Sequence, residues 1–166
     1  KERPTELAVV SVADGRVAAL PTPVAAVAPS WSPTGDVIAY LGATPVERTG
    51  PLGVTASQFG IEFVDGQGRP LYPNLPERAL QNGLVAWAPD GRRVAVVTVP
   101  ANSPAVIWIV EPESKDPFRR LLELSPTSRP RGLTWTRDGS RLTIAIQESL
   151  SDLVLHEMDG QRRAAE

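Results

Sequence analysis

The sequence predicts an all-β fold made of repeated four-stranded antiparallel units, and three observations predict it. A tryptophan followed by a tight-turn signature occurs three times, at Trp31-Ser-Pro-Thr-Gly35, Trp87-Ala-Pro-Asp-Gly91 and Trp135-Thr-Arg-Asp-Gly139, spaced 56 and 48 residues apart. Self-similarity at such a period marks a repeat architecture. A second set of short apolar hairpins lies between these units. No segment carries a convincing helical stripe: the best candidate, 116–124, contains Pro117 and is flanked by strand patterns, so it reads as an outer strand.

The elements follow in order. Glu6 to Val12 is apolar and turns at Ala13-Asp-Gly-Arg16 into Val17 to Leu20. Asp-Gly between apolar runs is the strongest short-range hairpin signal. Each tryptophan then ends one strand, and the turn follows. Proline presets φ, aspartate bonds the backbone two residues on, and glycine accepts a positive φ. The β-branched return strands are Val37 to Leu41, Val94 to Val99 and Leu142 to Ile146. These hairpins are strands a and b of a unit. Strands c and d are Phe59 to Val64 with Arg69 to Tyr72, Val106 to Val110 with Phe118 to Leu122, and Leu153 to Glu157 with the residues after Gly160.

Three a–b hairpins and four c–d hairpins make fourteen strands. Four-stranded sheets repeated around an axis are a β-propeller. The chain therefore parses as a half-blade at about 5–20, then blades at about 27–73, 83–124 and 131–165. That is a single propeller-like domain of about three and a half blades.

Trp31-Ser-Pro-Thr-Gly-Asp-Val-Ile-Ala-Tyr40 resembles the bacterial propeller repeat of the TolB type. The unit from Trp87 to Val96 is similar, with Asp90 in the turn position, whereas the Trp135 unit departs from it at Arg137 and Thr143. Similar repeats occur in the propeller domain of prolyl-oligopeptidase-type peptidases. The TolB resemblance implies a bacterial, extracytoplasmic interaction module.

Propellers typically close with four to eight blades, so the ring is incomplete as it stands. It closes within a larger protein, by pairing with another chain through open blade edges, or it keeps short, protected edges. The first is the expected resolution. The chain opens at Lys1 with no signal-peptide pattern and reads as a mature or excised piece.

A net charge of −2 supplies no basic footprint for nucleic acid. The absence of cysteine removes disulfides and thiolate chemistry. No apolar run approaches the ~18 residues that cross a bilayer as a helix.

Candidate sites divide between the two faces of the propeller. Asp14, Asp65, Asp90, Asp138 and Asp159 each precede a turn glycine, where backbone bonding selects aspartate. They are spread over the blades and read as turn structure, not as a metal or acid–base cluster. His156 is the one histidine and no Gly-x-Ser-x-Gly elbow is present, so no serine triad is expected. Trp31, Trp87, Trp135 and Trp108 read as packing residues. No cofactor and no metal are expected.

The opposite face carries the b–c and d–a connections. Gly42 to Gln58 is much the longest of these, and long connections in compact domains are often functional. The candidate partner-binding residues are Glu47, Arg48 and Thr49 in that segment, Glu77 and Arg78 in 73–82, and Arg129 and Arg131 in 125–131. The expected function is a non-enzymatic module that binds a protein or peptide, or senses one, on this face. The alternative is the gating propeller of a prolyl-oligopeptidase-type hydrolase, whose catalytic residues would lie in an α/β domain elsewhere.

Overall fold

The structure is a computed structural model that describes residues 7–22, 24–47, 55–73, 75, 83–99 and 103–148, excepting the side chains of 44–47 and 55–58. Among the described residues there are twelve strands and no helix. The first sheet is β1 (Leu7–Val10) with β2 (Val17–Leu20). The second runs β3 (Ala25–Trp31), β4 (Val37–Glu47), β5 (Thr55–Asp65) and β6 (Pro70–Leu71), each strand antiparallel to the next. The third repeats that meander with β7 (Gly83–Trp87), β8 (Val94–Thr98), β9 (Val106–Val110) and β10 (Phe118–Glu123). The fourth is β11 (Ser128–Trp135) with β12 (Leu142–Glu148). The order is c–d, a–b–c–d, a–b–c–d, a–b: an all-β chain consistent with a partial β-propeller. The strand pair expected around His156 and Asp159 lies outside the described residues.

The three tryptophan turns are the same turn. In each, the residue after Trp donates its N–H across the hairpin mouth: Ser32 to Val37 O at 2.7 Å, Ala88 to Arg93 O at 2.8 Å and Thr136 to Arg141 O at 2.9 Å. The glycine N–H then bonds back to that same residue, and Gly35, Gly91 and Gly139 sit at φ 81°, 68° and 68°. A side chain resists that left-handed geometry, which is why glycine recurs there.

Sheets stack face to face, and each gap between them holds its own core. Leu7 and Leu20 meet Ala26, Ile38, Tyr40 and Val64 in the first gap. The second gap is the largest, joining Leu41, Ile61 and Phe63 to Trp87, Val94, Val96, Val110 and Phe118. The third packs Val97, Ile107 and Leu124 against Leu133, Leu142 and Ile144. Because β8 is covered on both faces, all five of its residues are buried, and its Val-Ala-Val-Val-Thr sequence shows no polar alternation. Strand β7 touches β3 on one side and β11 on the other, so the inner strands of successive sheets lie side by side.

One expectation is corrected. Residues 42–47 and 55–58 of the expected loop are strand: β4 and β5 stay in register from Val37↔Asp65 to Glu47↔Thr55. Strand β3 pairs with β4 only as far as Ala43, and β6 pairs with β5 only at Phe63 and Val64. The two middle strands therefore continue well past their neighbours as a two-stranded arm. Past Ala43 the arm has a single ladder among the described residues, a setting that tolerates the missing N–H of Pro45.

Candidate functional site

Antiparallel alternation places the end of β4, the start of β5 and the start of β11 on one face of the stack. The tight turns occupy the other. On the first face stand the arm and two of the expected arginines. Arg129 Nη1 donates to Pro126 O at 2.9 Å and to Ser128 O at 3.4 Å, so its guanidinium folds back over its own turn. Arg131 Nε donates to Gln147 Oε1 on the paired strand at 2.9 Å. Both side chains are exposed. A register shift between Pro130 and Gly132 sets Arg131 apart in the ladder, and such bulges re-aim side chains. Glu47 ends β4 opposite Thr55. Arg48, Thr49, Glu77 and Arg78 lie outside the described residues. The topology thus brings Glu47, Arg129 and Arg131 to one face.

On the opposite face the aspartates do what turn chemistry requires. Asp65 Oδ1 accepts the N–H groups of Gln67 and Arg69, both at 2.9 Å. Asp90 Oδ1 accepts those of Arg92 at 2.9 Å and Arg93 at 3.1 Å. Hydrogen bonds to the ionised form lower a carboxyl pKa. The Thr136 hydroxyl, with the Ser140 N–H and hydroxyl, holds Asp138 down at about 2. The Ser11 hydroxyl and the Arg16 N–H lower Asp14, and the Arg69 N–H leads the same effect on Asp65. In the first tryptophan turn Thr34 replaces the aspartate, and its hydroxyl meets Ser32 Oγ at 2.5 Å instead. Among the described residues no three acidic or histidine side chains form a group able to hold a metal ion.

Two tryptophans are ties between sheets. Trp135 Nε1 donates to Ala86 O of the preceding sheet at 3.0 Å, and Arg93 lies over the Trp135 ring at 5.2 Å. Trp87 is 9% exposed and sits edge-on to Phe63 at 6.0 Å. Its indole N–H has no hydrogen-bond partner; instead its backbone N–H donates to Ser30 Oγ at 3.1 Å. A bulge between Val27 and Ser30, with Ala28 at φ 51°, separates the two cases, since β7 is regular at the equivalent point. Trp31 differs from both, at 42% exposed.

A cleft of about 240 Å³ opens on the tight-turn face between the second and third sheets, lined by Tyr72, Trp87, Gly91, Arg92, Glu111, Pro112, Glu113 and Ser114. Tyr72 adopts φ 52° and its hydroxyl donates to Glu113 Oε1 at 3.4 Å. Burial, then the charge of Glu113 and that hydrogen bond, push the phenol pKa up. No sequence signal announces this cleft, because its walls come from a strand end in one sheet and two turns in the next.

No family model and no curated protein matches the chain. Among solved structures, the crystal structure of TolB from Acinetobacter baumannii is similar, with a TM-score of 0.55 and 16% sequence identity, over 84% of this chain and 34% of that chain. This chain thus spans about a third of that protein's length, and the likeness is one of fold.

Proposed function

We propose that this chain is a non-enzymatic interaction module of the TolB-like propeller type, bacterial and extracytoplasmic, which engages a protein or peptide on the face bearing the β4–β5 arm. The arm carries the reading. It is the one described hairpin whose paired strands run eleven residues each, outreaching β3 and β6. A projecting ribbon with ladder groups beyond its neighbours suits addition of an extended partner segment. Arg129 and Arg131, exposed on the same face, add bidentate donors for carboxylates. The repeat resemblance supports the extracytoplasmic setting. Among the described residues no helix is long and apolar enough to cross a membrane.

The test is to remove Arg48, Arg129 and Arg131 together by substitution with alanine and measure binding to a partner recovered by pull-down from the source cell envelope. A hydrogen bond to a charged group is worth about 1.5–3 kcal/mol, so losing even one such contact weakens binding about tenfold or more. Unchanged affinity rejects the face.

A further inference from the structure

We propose that the inner edge of β1 and the exposed indole of Trp31 are the seat of one further a–b hairpin of the same tryptophan-turn repeat, carried on the same polypeptide outside these 166 residues. The seat lies on sheet surfaces and not on the partner face, so its test and that of partner binding fail separately.

Every repeat tryptophan faces the preceding sheet. Trp87 pairs with Val94 and joins the core of the second gap, while Trp135 pairs with Leu142, which packs in the third. Trp31 pairs with Ile38, whose side chain packs in the first gap toward β1 and β2. Trp135 finds a main-chain carbonyl on the inner strand of its preceding sheet, that of Ala86, the residue before that strand's tryptophan. Among the described residues the sheet preceding Trp31 offers only β1 and β2, which hold the outer c and d positions of a blade. Its inner strands are what Trp31 lacks. Exposure follows the same order: 9% for Trp87, whose preceding sheet is complete, and 42% for Trp31.

The half-blade itself is shaped for enclosure on both sides. Leu7 and Val9 point into the first gap. The alternate positions, paired as Ala8↔Ala19 and Val10↔Val17, face outward and are all apolar and exposed, with Val10 at 58% and Val17 at 68%. A sheet with one face in water places polar residues there, so this one is built as an interior blade. The TolB crystal structure shows this fold within a longer chain, of which the match covers 34%. A hairpin whose inner strand presents the carbonyl of the residue before its own tryptophan would accept the Trp31 indole N–H and pair along β1.

Hydroxyl-radical footprinting read by mass spectrometry tests the seat, on the 166-residue chain and on the intact polypeptide isolated from its source cell. In the 166-residue chain Trp31 is expected to oxidise faster than Trp87. In the intact polypeptide its reactivity falls to the level of Trp87, and the amides of Leu7–Val10 gain protection from hydrogen exchange. Trp31 equally reactive in both overturns the proposal. So does an intact polypeptide no longer than this chain, and so does a dimer of this chain that itself protects Trp31, which makes a second copy the occupant.

Discussion

Replacing Arg93 with methionine tests whether the sheets are tied at their tight-turn face. Arg93 makes three contacts: Nε to Asp90 Oδ2 at 2.6 Å, Nη2 to Gly139 O of the next sheet at 3.2 Å, and the guanidinium over Trp135 at 5.2 Å. The ion pair is about one third exposed, so water screens it, and it contributes at the lower end of about 0.2–1 kcal/mol. The hydrogen bond to Gly139 adds about 0.5–1.5 kcal/mol. The cation–π contact adds about 0.5–1 kcal/mol. Methionine keeps most of the apolar stem, so the expected loss is about 2 kcal/mol, with Tm lower by about 4–8 °C. Urea unfolding followed by far-ultraviolet circular dichroism measures it. In a double-mutant cycle with Trp135→Leu the coupling should be about 0.5–1 kcal/mol, the share of the ring contact. A loss below about 0.3 kcal/mol, inside the usual scatter of additivity, refutes the tie.

Tyr40→Phe should leave the protein as stable or raise its stability by up to about 1 kcal/mol in urea titrations, because it deletes a buried hydroxyl that has no hydrogen-bond partner. Burial, with the charge of Glu62, pushes the Tyr40 phenol from 10.0 to about 12, so stability is intact below the unfolded value and falls as pH rises through that interval; in Tyr40→Phe this component of the alkaline decline in Tm disappears. Asp138 is held from 3.8 down to about 2, so its stabilisation is present above the unfolded value and lost as pH falls toward the folded one; Asp138→Asn should flatten the acid limb of a Tm-versus-pH curve. Gly35 and Gly68 share nearly the same backbone, φ 81° and 79°, but a Cβ at Gly35 meets nothing within 4 Å whereas one at Gly68 falls 2.9 Å from Pro21 O. Gly35→Ala should therefore cost about 1–2 kcal/mol for the left-handed backbone alone and Gly68→Ala clearly more, and equal losses would show that the Pro21 contact yields freely.

Local chemistry made the hairpins readable. Asp14-Gly15, Asp65-Gly66 and Asp90-Gly91 are turn signals that act within a few residues, and each lies where the structure turns. The length of the arm was not readable, because Gly42, Pro45, Gly50 and Gly53 punctuate that stretch as a loop would. Pairing across the ribbon, Thr44↔Gln58 and Val46↔Ala56, overrides that punctuation at Gly42 and Pro45, and pairing is non-local. The cleft beside Tyr72 and the exposure of Trp31 are hidden for a related reason. Both depend on which sheet stands next door, a property of the stack and not of any repeat. Arg129 and Arg131 read from the sequence as part of a d–a connection, but both lie within β11, and the bulge that sets Arg131 apart there is one that the sequence does not mark.

The one-way bearing of the tryptophans gives the stack a direction in time as well as in space. A ribosome delivers the chain from its N-terminus, so each sheet emerges before the tryptophan that will clasp it. Trp87 reaches a second sheet whose four strands are already made, and Trp135 does the same for the third. For Trp87 and Trp135 the anchor is made after its dock. Chains of this size transiently expose apolar surface and unpaired strand edges as they fold, and a backward-looking indole covers a sheet that has already been synthesised.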